Sequence, residues 1–366
     1  MKISFTKFHK GIKSNFKKNM KIMISFACVL AIGITAMMSF AGKEAESGKN
    51  DFITYAEFNV TYSALEKAMN IDIESRNSEV KISWIDILAY LGATYGGNFS
   101  SYKAADMDKI AARLKDGEQI AEITKDMKYF SYYFDVYNAA LGGYLGDYTE
   151  YSADESGKIT TTQKYGLKAY SPIAKTFPFS DSNDFGVGRS YGFQRRHLGH
   201  DMMAATGTPV IAIEDGVVEN LGWNQYGGWR IGIRSLDKKR YYYYAHLRQN
   251  RPYHPDVKLG GQVKAGDVIG YVGRTGYSTK ENSNNIETSH LHWGLELVFD
   301  ESQKESDNEI WIDVYAITRL LQKHQSTTVR EAATKEFFSL RQDSLREKPV
   351  TTPPLTTATE STTAEN

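Results

Sequence analysis

The sequence predicts an α+β protein in three successive parts: an apolar N-terminal membrane segment, an all-α domain, and a mainly antiparallel β-sheet domain. Three observations predict it. An uncharged run of 21 residues, "IMISFACVLAIGITAMMSFAG", fills positions 22–42. Apolar residues then recur at three-and-four spacing as far as about residue 150, the period of amphipathic helices. From Phe177 onward short β-branched and aromatic runs are punctuated by glycine, the texture of strands and turns.

Residues 1–21 hold seven lysines and no acid, which marks a basic cytoplasmic segment. As a helix the run at 22–42 spans ~31 Å, about the thickness of bilayer hydrocarbon. Ser39 and Ala41 also form a small-x-small pattern suited to signal-peptidase cleavage, so the run is either a membrane anchor or a cleaved signal. Both readings send the rest of the chain out of the cytoplasm. A reporter enzyme that works only outside the cytoplasm is therefore expected to be active when fused after Gly42 and silent after Lys18; silence at both points would make the chain cytoplasmic.

A helical domain is expected over 50–151, from "TYSALEKAMNIDI", "SWIDILAYLGATY", "MDKIAARLKDGEQIAEI" and "YFSYYFDVYNAALGGYL". Residues 152–176, rich in Ser, Thr, Gly and Lys, are expected to be a linker. The β domain is placed at 177–325, from "TPVIAI", "WRIGIRS", "RYYYYAHL", "DVIGYVG" and "LHWGLELVF", with "EIWIDVYAITRLLQKH" closing it as a helix. An exposed helix over 326–345 and a disordered low-complexity tail over 346–366 complete the chain.

The formal charge of zero conceals an asymmetry: with the seven N-terminal lysines set aside, 37 of the 44 basic residues face 44 acidic ones, a net of −7. That balance excludes a nucleic-acid binder, which needs a basic surface for phosphates. The single cysteine, Cys28, lies in the apolar run, so neither a disulfide nor a cysteine metal site is available to the exported part. Any metal must be held by histidine and carboxylate.

Five of the eight histidines fall in three strings of the β region: His197 and His200 in "HLGHD", His246 in "YYYYAHL", His290 and His292 in "SHLHW". Residues two apart on a strand share a face. His197 and Asp201 are thus expected to point one way and His200 the other. His290 and His292 share a face with Cα atoms ~6–7 Å apart, and His246 lies in register with Tyr242 and Tyr244. Two His and one Asp with an open fourth position make a catalytic rather than structural zinc site. Taken singly, each string reads first as an ordinary strand with solvated or carbonyl-bonded histidines.

Their order is more specific. "HLGHD", "GTPVIAIEDGVV", "YYAHL", "VKAGDVIGYVGRTGYST" and "HLHWGLEL", in this sequence from about Phe177 to Phe299, resemble the lysostaphin-type zinc endopeptidases of peptidoglycan. The resemblance implies that His197, Asp201 and His292 are ligands of a Zn2+ ion and that His246 and His290 are a catalytic pair outside the metal's coordination. It implies hydrolysis of amides in stem or cross-bridge peptides, with His290 the expected base because it shares a strand face with His292. The implied partners are peptidoglycan peptides and, through residues 22–42, the cytoplasmic membrane, with the catalytic domain outside the cell membrane or secreted to the wall. The alternative is an inactive scaffold of the same fold that binds envelope partners; such a protein is expected to have lost a ligand or catalytic histidine, and all five positions are filled here.

Four features lie at the edge of the resemblance. His200 stands where the family usually has an apolar residue and reads as a packed or supporting histidine. The polar stretch "STKENSNNIETS" is longer than the usual turn and is expected to form a lip over the groove. The glycines of "NQYGGW", 224–229, suit either a close substrate approach or a hairpin turn. "WIDILAYLGATYGGNFS" faintly resembles lysozyme-like transglycosylases, but Thr94 and Tyr95 stand where the acid is required. For the helical domain this leaves glycan or envelope-protein contact, or a spacer.

Overall fold

The computed structural model describes residues 52–190 and 194–346. The basic segment at 1–21, the apolar run at 22–42 and the tail from 347 lie outside the described residues. Among the described residues no helix is long and apolar enough to cross a membrane.

Five helices come first: α1 (Tyr62–Ser75), α2 (Trp84–Tyr95), α3 (Ala104–Lys115), α4 (Ile120–Thr124) and α5 (Phe130–Leu141). Local chemistry sets their ends. The Thr61 hydroxyl accepts from Ala64 N and starts α1, and the Ser83 hydroxyl does the same for α2 through Asp86 N. Helix α2 stops at Gly96, whose φ of 60° places it in the left-handed region that favours glycine. Inside α2, Gly92 lets Tyr137 of α5 pack on the helix backbone: a Cβ there would lie 2.8 Å from the tyrosine ring.

Where a linker was expected, the chain forms a hairpin of β1 (Leu145–Ala153) and β2 (Ile159–Leu167) in continuous antiparallel register. The Asp154 carboxylate accepts from the backbone N–H of Ser156 and of Lys158, and Gly157 supplies a φ of 79°, so the polar composition is that of a tight turn. The threonine run of β2 has the branched side chains that strands favour. The helical reading of 145–151 is corrected by the same hairpin.

The main sheet runs in the order β11 (Gln262–Val263), β8 (Gly216–Asn224), β9 (Gly228–Ser235), β10 (Arg240–Ala245), β13 (His290–Leu297), β6 (His200–Ala204), β3 (Phe179–Asp181). All its pairings are antiparallel, and β14 (Ile310–Ile312) pairs with the end of β13 beyond β6. Small ribbons flank it: β4 (Gly188–Ser190) with β5 (Gln194–Arg196), and β7 (Pro209–Ile211) with β12 (Val268–Tyr271). The stretch expected as one closing helix is divided: Ile310–Ile312 is strand β14, and the helix is the shorter α6 (Tyr315–Leu321).

The exposed helix expected over 326–345 is instead β15 (Thr328–Arg330), β16 (Phe337–Ser339) and the one-turn α7 (Leu340–Ser344). Lys335, at φ 64°, reverses the chain, and Glu336 is buried against the Arg251 guanidinium and the Tyr271 hydroxyl. The segment is packed down on β12 rather than projecting from the surface.

One buried cluster runs from Leu65, Leu88 and Val136 of the helices to Ile231, Tyr242, Tyr244, Leu291, Trp293 and Leu295 on one face of the sheet. Arg240, 1% exposed, ties the two regions together. It forks onto Glu214 at 2.8 and 3.1 Å and donates to the Ala139 carbonyl at the end of α5 at 2.7 Å. The Tyr242 hydroxyl donates to the same Glu214 at 2.5 Å. Breaking a buried pair of this kind by removing one partner typically costs about 3–5 kcal/mol. The helices thus cover one face of the sheet and leave the histidines on the other.

Candidate metal centre

The site is assembled where β6 and β13 pair. Their register sets His292 directly opposite Asp201, and both side chains leave the face away from the helices. His197 reaches them differently from the expectation of a shared strand face: β6 begins only at His200, and His197 lies in the loop after β5. Gly199 makes that loop possible, because a Cβ there would lie 2.5 Å from the His292 ring. His197 N donates to Val187 O at 2.9 Å and Gly186 N donates to His197 O at 2.8 Å, so the loop is fixed on both sides.

The three donors form a nearly equilateral triangle. His197 Nε2 is 3.0 Å from Asp201 Oδ1 and 2.9 Å from His292 Nδ1, and His292 Nδ1 is 3.0 Å from the same carboxylate oxygen. Four-coordinate zinc at ~2.0–2.1 Å from its ligands spaces them by about 3.3 Å, so the triangle fits such an ion, and the donors are the histidine and carboxylate types zinc accepts. His197, Asp201 and His292 are the metal-capable His/Asp/Glu/Cys cluster among the described residues.

The surroundings orient His197 and Asp201. His197 Nδ1–H donates to the Asp184 carbonyl at 3.1 Å, with Asp184 Oδ2 at 3.2 Å, which leaves Nε2 to face the centre. Arg189 Nη2 lies 2.6 Å from Asp184 and 3.1 Å from Oδ2 of Asp201, so the second carboxylate oxygen is occupied and only Oδ1 is presented. Burial disfavours the charge of Asp201, but hydrogen bonds from His197 and His292 outweigh it and hold the carboxyl far below the usual range. Burial likewise opposes charge on His197, yet its bonds to Asp184 and Asp201 raise it to about 9. The point where the donors meet therefore attracts positive charge.

His290 and His246 stand beside the triangle. The His290 ring is 4.8 Å from that of His246, and His290 Nε2 is 3.7 Å from Asp201 Oδ1. Each is tied at Nδ1 to a backbone carbonyl, His290 to Thr288 at 2.8 Å and His246 to Thr275 at 2.9 Å. A carbonyl only accepts, so both carry the Nδ1 proton and turn Nε2 outward. Burial, with the neighbouring imidazoles, pushes His246 well below its usual range and keeps it neutral. The expectation that His246 continues the face of Tyr242 and Tyr244 is corrected: β10 ends at Ala245, and His246 adopts φ 60°. That left-handed backbone is rare for a residue with a Cβ and re-aims the ring.

His200 takes no part. Its ring is buried, faces the Tyr315 ring at 5.4 Å and bonds to Asp181 at 3.0 Å. The glycines at 227 and 228 serve the β8–β9 turn: a Cβ on Gly228 would lie 2.3 Å from the Thr275 backbone, and on Gly227, 2.2 Å from the Tyr243 hydroxyl. The polar stretch at 278–289 is held in place through Asn282, which accepts from Trp229 Nε1 at 2.9 Å and from Asn250 N at 2.8 Å. Asp184, Arg189 and Thr275 were not singled out in the sequence, since a carbonyl contact or a guanidinium bridge across 12 residues leaves no pattern to read.

Residues 195–306 match peptidase family M23, and the chain carries a domain of that family. Over 193 residues it is 34% identical to the L-Ala–D-Glu endopeptidase of Bacillus subtilis (strain 168), covering 49% of this chain and 58% of that protein. Over 98 residues it is 41% identical to glycyl-glycine endopeptidase ALE-1 of Staphylococcus capitis, covering 26% of this chain and 24% of that protein. The chain thus spans less than two thirds of either relative. The lytM protein of Ruminococcus gnavus ATCC 29149 superposes with a TM-score of 0.50 at 24% identity, over 77% of this chain and 94% of that one, a likeness of fold.

Proposed function

We propose that this protein is a zinc-dependent endopeptidase that hydrolyses amide bonds in the stem or cross-bridge peptides of peptidoglycan, outside the cytoplasmic membrane. The observation that carries the reading is one centre faced by three donors 2.9–3.0 Å apart and by two further imidazoles excluded from the triangle. His197, Asp201 and His292 would hold the ion. Zinc bound there supplies Lewis-acid polarisation of a carbonyl and a water acidic enough to lose its proton near neutral pH.

The remaining chemistry falls to the chain. His290, whose Nε2 is within 3.7 Å of ligand oxygen Asp201 Oδ1, accepts a proton from the attacking water. His246, fixed at Nδ1 by Thr275, turns Nε2 toward the centre, and once that nitrogen has taken up a proton it donates a hydrogen bond to the developing oxyanion or the proton to the leaving amine. Asp184 and Arg189 hold the ligands in their productive orientation. The lip at 278–289, pinned through Asn282, walls the groove. The names of the two curated relatives support amide hydrolysis, one at L-Ala–D-Glu and the other at Gly–Gly.

Mass analysis of wall digests tests the reading. The zinc-loaded chain is expected to release new amino termini from purified peptidoglycan, and the chelated chain none. Glycan fragments with intact peptides would point to another activity.

A further inference from the structure

Close to His246 stands a cation that no carboxylate among the described residues answers. Arg195, on β5 two residues before His197, is half-buried, and among the described residues no Asp or Glu lies within ion-pair reach of it. Its guanidinium carbon stands 5.1 Å from the Tyr277 ring centre and 5.6 Å from that of Tyr226. Nη2 donates to the Tyr277 hydroxyl at 2.7 Å, and among the described residues the buried Nε–H has no acceptor. Tyr277 in turn sets its edge against His246, ring centres 5.8 Å apart. The guanidinium is therefore one aromatic ring away from the catalytic pair.

Two other arginines of the domain are held by carboxylates. Arg189 is shared between Asp184 and Asp201, and Arg240 is neutralised by Glu214 and Asp237. A guanidinium offers five donors in a planar fork that matches a carboxylate, and removing water from it without supplying an acceptor is unfavourable. The two tyrosine rings steady the fork, and Tyr277 takes up one Nη2–H through its hydroxyl. This arrangement resembles a preformed receptor for a planar anion, built from β5, the β8–β9 turn and the loop after Gly276.

Resting on the endopeptidase reading, we infer that Arg195, steadied by Tyr226 and Tyr277, binds a free carboxylate on the substrate peptide next to the scissile amide, and so selects acidic stem peptides over uncharged glycine bridges. A γ-linked glutamate residue carries such a carboxylate on its α-carbon, whereas an oligoglycine segment has none along its length. Charge-assisted hydrogen bonds to a fork of this kind are worth enough for a ~10–100-fold preference.

The test measures binding apart from cleavage. The full chain, zinc-loaded and carrying His290→Ala so that peptide is not consumed, is titrated calorimetrically with acetyl-L-Ala-γ-D-Glu-L-Lys and with the same peptide bearing a carboxamide in place of the α-carboxylate. The carboxylate form is expected to bind ~10–100-fold tighter. Arg195→Gln should bring the ratio of the two affinities close to 1, and Arg195→Lys, which keeps the charge and loses the fork, should restore part of it. Equal affinities in the parent, a ratio unchanged by Arg195→Gln, or binding of neither peptide would overturn the inference. Cleavage of wall peptides without carboxylate selectivity would leave the endopeptidase reading standing and remove this one; Arg195-dependent selectivity without cleavage by the unmodified chain would do the reverse.

Discussion

Replacing His292 with alanine is expected to strip the protein of bound zinc and to bring wall-peptide hydrolysis to background. His292 Nδ1 is one corner of a triangle whose other two donors lie 2.9 and 3.0 Å away, so its loss leaves two ligands where a catalytic zinc site requires three. Removal of an outer-sphere partner alone usually costs ~10–100-fold in metal affinity, and a direct ligand should cost more. The fold should persist, because the ring faces the groove while its neighbours Leu291 and Trp293 fill the core on the opposite face. Metal analysis of the purified variant, with a thermal melt beside that of the metal-free parent, checks both halves. A variant that melts normally and still holds one zinc per chain would remove His292 from the ligand set.

Alanine at His290, or asparagine at His246, should instead leave zinc in place and lower turnover by at least ~100-fold, the usual contribution of a positioned acid or base. Asparagine is chosen at 246 because that residue sits at φ 60°, where asparagine is tolerated better than most side chains. Both rings are held at Nδ1 by backbone carbonyls, so neither change removes a side-chain partner from the ligands' outer contacts with Asp184 and Arg189. Zinc analysis paired with single-turnover rates separates the outcomes. Loss of metal from His290→Ala together with its retention in His292→Ala would exchange the two residues' roles.

Much of the site was legible because its residues sit in short strings whose order is itself informative. The alternation rule brought His290 and His292 to one face correctly, since β13 is a regular strand from His290 onward. It failed where the backbone leaves the strand: at His197, carried by a glycine-bearing loop, and at His246, turned by a left-handed φ. The pairing of His292 with Asp201 depends on register between strands distant in sequence, which no local pattern encodes. The threonine-rich hairpin read as a linker because its residues are polar, although they are also good strand formers. The helix expected over 326–345 failed because the reversal at Lys335 and the burial of Glu336 depend on partners supplied by Arg251 and Tyr271.

The proposed hydrolysis depends on one ion held by His197, Asp201 and His292, and a zinc titration tests that most directly. The full chain, freed of metal by a chelator, is supplied with zinc in steps while bound metal and wall-peptide cleavage are followed together. Cleavage is expected to be absent at the start and to rise in proportion to occupancy, with a break at one zinc per chain that Asp201→Ala abolishes. Cleavage undiminished by complete removal of metal, or a full zinc equivalent bound by Asp201→Ala, would contradict it.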